Sequence, residues 1–149
     1  MKYLLYAGLS TLASLTFELP AAEPLPAISA TKADKTLLTD IEYNGDKLVA
    51  VGKHGTIITS TDAKTWQQAS VPTQVLLTPV NFVDSQHGWA CGHDATIINT
   101  TDGGLQWQLQ LVKESLDKPC LDILFADKLN GFAVGAYGMF YETTDGGLS

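Results

Sequence analysis

The chain has 149 residues, a formal net charge of −7 and no arginine. An acidic chain without a basic stripe cannot neutralise phosphates, which excludes nucleic acid as a partner. It also carries no polybasic patch to hold it on an anionic membrane.

Met1-Lys2 followed by the apolar run Tyr3 to Phe17 reads as the charged and hydrophobic parts of a signal peptide. Ser10, Thr11, Ser14 and Thr16 dilute a segment already too short to span a bilayer. Small residues at Ala21-Ala22 and Ala27 offer cleavage points, so residues 1–22 are expected to be removed. No cysteine lies near this leader, so no lipid modification is expected there. The mature chain is expected outside the cytoplasmic membrane, in a periplasm, with no direct membrane binding once the leader is gone. Residues 23–38 are rich in Ala and Pro and read as a linker. Ile28 to Thr31 also stands about as far before the first strand as Trp66 and Trp107 stand before theirs, which admits a closing strand instead.

From residue 39 the chain repeats itself. The first unit, 39–76, offers a strand at Thr39 to Tyr43, then the apolar run Leu48-Val49-Ala50-Val51-Gly52. After a short turn come Gly55-Thr56-Ile57-Ile58-Thr59 and the segment Ser60-Thr61-Asp62-Ala63-Lys64-Thr65-Trp66. The second unit, 77–119, has Pro79 to Val83, Gly88-Trp89-Ala90-Cys91-Gly92, Ala95-Thr96-Ile97-Ile98-Asn99 and Thr100-Thr101-Asp102-Gly103-Gly104-Leu105-Gln106-Trp107. The third, 120–149, has Leu121 to Phe125, Gly131-Phe132-Ala133-Val134-Gly135, Gly138 to Glu142 and Thr143-Thr144-Asp145-Gly146-Gly147-Leu148-Ser149. Asp62 to Asp102 is a step of 40 residues and Asp102 to Asp145 one of 43. Two- or three-residue gaps between apolar runs predict antiparallel hairpins. A fourth strand is expected from Trp66 and from Trp107.

Four short antiparallel strands at this period predict an all-β fold, a β-propeller with about three blades present. No window after residue 40 shows helical periodicity over three turns, so no long helix is expected there. Propellers typically have at least four blades. The simplest account is a piece of a longer propeller, with the last blade lacking its fourth strand; closure by self-association is the alternative. The Asp turn reads as a folding device. Asp62, Asp102 and Asp145 are expected to bond nearby backbone amides, and Gly103-Gly104 to supply positive φ. Trp66 and Trp107 are expected to cover their turns.

Ser/Thr-x-Asp-x-Gly-x-x-Trp resembles the Asp-box, or BNR repeat, of sialidases and sortilin-type propellers. The fuller unit, Asp84 to Trp107 with its Gly-Trp-Ala-x-Gly and Thr-Ile-Ile-x-Thr-Thr-Asp-Gly-Gly segments, is similar to the photosystem II stability/assembly factor family. Asp127 to Gly147 matches that pattern with Phe132 in place of Trp, and Lys47 to Trp66 matches more loosely. The resemblance implies an exported, non-enzymatic scaffold that binds another protein, a membrane-protein complex included. In a photosynthetic source its compartment would be the thylakoid lumen. The family's arginine-rich partner surface has no counterpart here, since the chain has no arginine.

The alternative is a carbohydrate-active, sialidase-like propeller whose catalytic residues lie in blades outside this chain. Sialidases hold the substrate carboxylate with clustered guanidinium groups. Tyr43, Tyr137 and Tyr141 have no such clamp beside them. Asp40, Asp84 and Asp127 sit at turns or strand ends where Asp is expected on structural grounds. No catalytic residue, cofactor or metal site is therefore assigned. His87 and His93 fall in turns at opposite ends of a blade, and His54 and His93 alone are too few to hold an ion.

Cys91 aligns with Val51 and Val134, and Cys120 with Leu38 and Leu77. Both positions are apolar core positions, so two buried thiols are expected. The two belong to adjacent blades, which leaves a bond between them open. The binding residues are expected in the turns between second and third strands: Lys53, His54, His93, Asp94 and Tyr137. Side chains vary there while the bounding glycines repeat. In propellers these turns share a face with the connections between blades.

Overall fold

The computed structural model describes residues 23–112 and 117–148. The expected leader lies outside them. The first sheet is β1 (Leu38–Tyr43), β2 (Leu48–Gly52), β3 (Ile57–Ser60) and β4 (Gln67–Gln68), in that spatial order. The second is β5 (Leu77–Phe82), β6 (Gly88–Gly92), β7 (Ile97–Thr100) and β8 (Gln108–Leu111). The third contains β9 (Cys120–Phe125), β10 (Gly131–Gly135) and β11 (Phe140–Thr143), with β10 in the middle. All neighbours within the sheets are antiparallel. The fold is the all-β propeller architecture that the repeat predicts, in three successive blades. Among the described residues the helical segments are single 3-10 turns.

Register repeats with the sequence. Val49 opposes Thr59, Trp89 opposes Asn99 and Phe132 opposes Glu142, at equivalent places in the three sheets. Alternation along each strand then decides which side chain faces which neighbouring blade. Val49, Val51 and Ile57 of the first sheet meet Val80, Phe82, Ala90, Ile98 and Trp107 of the second in one core. Trp89 and Cys91 of the second meet Ile123, Phe125 and Ala133 of the third in another. At the outer ends of the arc the same positions are exposed. Ile41 and Tyr43 on the first sheet, and Phe132, Val134 and Phe140 on the third, all face outward.

The first strands of successive sheets lie side by side and are joined by polar bonds of matching kind. The Thr39 hydroxyl donates to Leu77 O at 2.7 Å and the Thr78 hydroxyl to Cys120 O at 2.6 Å. Asp40 accepts the Val80 amide at 3.0 Å and Glu42 the Phe82 amide at 2.9 Å. Burial beside this junction, opposed by the Phe82 amide, raises the pKa of Glu42.

One expectation is corrected. Cys91 and Cys120 are not free thiols but form a disulfide, with Cα atoms 5.8 Å apart. Alignment of the repeats identifies both as core positions, and both side chains are fully buried. It does not register that β6 and β9 face each other across the junction, which brings the two sulfurs within bonding reach.

Residues 23–30 form no strand and lie along the outer part of the first blade. The Ala27 amide donates to Val71 O at 2.8 Å, and Gln68 holds Ala30 and Ile28 through both ends of its amide. Ala33 then packs beside Ala50, Ile58 and Trp66.

Candidate docking rim

Each second strand ends in Gly followed by a three-residue 3-10 turn: Lys53–Gly55, His93–Ala95 and Ala136–Gly138. The middle residue is left-handed in all three, with φ 58° at His54, 58° at Asp94 and 55° at Tyr137. That conformation is uncommon outside Gly, Asn and Asp and costs on the order of 1 kcal/mol elsewhere. The backbone bonds around each turn explain why it persists. The first amide of the turn reaches back to the approach into its own blade: Lys53 to Leu37 O, His93 to Leu76 O and Ala136 to Pro119 O, at 2.9–3.1 Å. The third amide reaches the approach into the next blade, Gly55 to Val75 O at 2.7 Å and Ala95 to Lys118 O at 2.8 Å. A Cβ on the glycine before each turn, at 52, 92 or 135, would collide with the same carbonyls of Leu37, Leu76 and Pro119. The repeated glycines are required by close backbone approach.

The first two turns are held from both sides, and the third by its first amide. Lys53, His54 and His93 are exposed, Asp94 is half-buried, and Tyr137 is 80% exposed. The five residues occupy corresponding positions at one end of the three sheets. Among the described residues, no hydrogen bond or ion pair joins their side chains. His93 and Asp94 border an open cleft completed by residues 23–25 and by Thr73, Gln74, Val75 and Leu76. Lys53, His54 and Tyr137 lie outside that cleft. The contribution of residues 23–25 was not legible in the sequence. Its only signal was the Pro-rich composition, which says extended chain but not where it lies.

The opposite end is committed to folding. In the three Asp turns a hydroxyl of Ser60, Thr100 or Thr143 donates to the following Asp at 2.8–3.0 Å. Asp62 then accepts the amides of Lys64 and Thr65, Asp102 those of Leu105 and Gln106, and Asp145 those of Gly147 and Leu148. Gly103 and Gly104 have φ of 75° and 89°, as the turn requires. Trp107 is buried over its own turn, and its indole donates to Gly104 O at 3.1 Å. The amides of Thr65 and Lys64, with the Ser60 hydroxyl, hold Asp62 down at about 2.

A second Asp-type turn lies beside each of these. Asn44, Asp84 and Asp127 each accept amides two and three residues on, at 2.8–3.0 Å. Partial desolvation would raise the Asp84 carboxyl. The amides of His87 and Gln86, with the His87 and Lys128 side chains, outweigh it and hold the group well below the usual carboxylate range. Asp127 is lowered by the Asn130 side chain and the amides of Leu129 and Asn130. The acidic residues at this end are structural acceptors.

Residues 58–119 match the family described as Photosynthesis system II assembly factor YCF48. A relative from Synechococcus sp. (strain JA-2-3B'a(2-13)), Photosystem II assembly protein Ycf48, is 45% identical over 47 residues, which is 30% of this chain and 14% of the relative. Two solved structures share the fold. YCF48 from Cyanidioschyzon merolae aligns over 77% of this chain and 39% of its own, at TM-score 0.65 and 21% identity. A structure described as YCF48 bound to D1 peptide aligns over 86% of this chain and 45% of its own, at TM-score 0.68 and 19% identity. The chain thus spans under half the length of these structures, and at such identity they carry the fold alone. Sequence pattern and architecture agree: residues 58–119 are similar to the photosystem II assembly factor family, and the chain has the fold of its β-propellers.

Proposed function

We propose that this chain is part of an exported, non-enzymatic propeller that docks a segment of another protein at the turn end, through Lys53, His54, His93, Asp94 and Tyr137. The observation that carries the reading is the contrast within each blade. At the turn end the backbone is tied on both sides in the first two blades and on one side in the third, while the side chains differ from blade to blade. At the other end the polar side chains already serve the fold. A rigid rim with variable side chains suits recognition, because little loop entropy is lost on binding. Tyr137 adds an exposed aromatic surface of the kind that anchors interfaces.

A relative named for photosystem II assembly, and a fold neighbour described with a D1 peptide, support a polypeptide from a membrane-protein complex as the partner. A periplasm or thylakoid lumen fits the signal-peptide pattern of residues 1–22. It also fits the disulfide, since such bonds persist in oxidising compartments. The test changes His54, His93 and Tyr137 together to Ala and measures partner recovery from a periplasmic or lumenal extract. Weakened recovery with an unchanged circular dichroism spectrum is expected. Undiminished recovery would remove this rim as the docking site.

A further inference from the structure

The first strands of neighbouring blades make one bond with two different groups. Glu42 on β1 accepts the Phe82 amide of β5 at 2.9 Å, and Asn81 on β5 accepts the Phe125 amide of β9 at 2.8 Å. The two acceptors hold the same place in their blades, Glu42 opposite Val49 and Asn81 opposite Trp89. A neutral amide therefore suffices for this bond, and the first junction makes it with a group that can be charged.

A second carboxylate stands beside Glu42. Asp40 lies two residues earlier, on the same face of β1. Its Oδ2 accepts the Val80 amide at 3.0 Å and its Oδ1 the Ile41 amide at 2.8 Å. At the second junction the corresponding residue is Pro79, so no carboxylate faces β9 from β5. The two strands packed against β1, β2 and β5, carry no titratable side chain. In the adjoining turns Lys47 pairs with Asp46, and His87 with Asp84. Among the described residues no cation pairs with Glu42 or Asp40. Ionised Glu42 thus bears both partial burial and an uncompensated like charge. Protonation removes both costs, and the carbonyl oxygen of the neutral carboxyl still accepts the Phe82 amide.

We propose that this junction is an acid-tightened clasp: mild acid protonates Glu42 and binds the first blade more firmly to the second. The raised pKa of Glu42, with burial as its main cause and Asp40 as a smaller one, agrees with the geometry. A raised folded value makes the stabilising contribution complete below the ordinary glutamate value of 4.5 and lost as pH rises through the folded value. Asp62, Asp84 and Asp127 act in the opposite sense and at lower pH. Glu42 lies towards the Asp-turn end of β1, away from the rim, and the clasp stands whether or not the rim docks a partner.

The test is thermal unfolding of the whole chain, followed by circular dichroism at pH 7.5 and pH 4.0, with and without Glu42→Gln. The substitution should raise the melting temperature by about 2–4 °C at pH 7.5, and most of that difference should be gone at pH 4.0. Asn81→Asp, which puts a carboxylate at the second junction, should create a similar pH dependence there. If Glu42→Gln does not fold, carboxyl 13C titration of Glu42 in the unaltered chain decides, with a value above 4.5 expected. A Glu42→Gln chain no more stable than the parent at pH 7.5 overturns the proposal. So does a difference as large at pH 4.0, or a Glu42 that titrates at or below 4.5.

Discussion

The junction between the first and second sheets and that between the second and third use the same positions with different chemistry. In the first, Val51 and Leu77 meet as apolar side chains, and Phe82 has Val49 on one side and the Trp107 indole at its edge. In the second, Cys91 and Cys120 stand at those positions and are bonded, and Phe125 stacks on Trp89 with centroids 3.6 Å apart. A propeller junction therefore tolerates a wide exchange of side chains, provided each position keeps its depth. Both junctions share polar bonds between first strands; the first adds the Trp107 indole and the second a disulfide.

The largest expected effect tests the packing side. Trp107→Ala removes the indole from the first junction and should cost about 3–5 kcal/mol. Urea unfolding would measure it, and a loss below about 1 kcal/mol would mean that the junction does not depend on this residue. The covalent side comes next. Changing Cys91 and Cys120 together to Ala opens a loop with a sequence separation of 29 residues and should cost about 3 kcal/mol. Cys91→Val with Cys120→Leu transplants the first junction's pair and should recover part of that loss. If the transplant is no more stable than the Ala pair, the two junctions are not interchangeable.

Asp102→Ala removes an acceptor of two amides and one hydroxyl within its own turn, and about 1 kcal/mol of stability should go with it. A longer chain that kept its melting temperature but lost a ligand would instead make Asp102 a binding residue. Acid acts on the same class of group. Asp62 is held down at about 2, and Asp84 and Asp127 are lowered too, so the unfolded chain takes up these protons first. Their contribution is complete above the ordinary carboxylate range of about 4 and is lost as pH falls towards about 2. Circular dichroism across that interval should show the loss, and a flat melting temperature from pH 5 to 2 would contradict it. The smallest effect is expected at the rim. Tyr137→Gly relieves a left-handed residue while adding chain entropy to the unfolded state, and the two should offset to within about 0.5 kcal/mol.

The sequence by itself determined the blade. Periodic glycines, period-2 apolar runs and the Asp turn are local signals, because each strand, hairpin and turn is built from residues close together in the chain. The strand positions at Leu48, Gly88, Gly131 and their neighbours follow from that. The turn residues His54, Asp94 and Tyr137 were legible for the same reason, as hairpin tips between repeating glycines. Their left-handed backbone was not legible, because it is imposed by carbonyls of Leu37, Val75 and Leu76 from separate connections. The disulfide and the Trp89–Phe125 stack belong to the same class. Each depends on how one blade meets the next. The repeat alignment places residues within a blade but carries no term for distance between blades, so only tertiary packing decided which core positions touch.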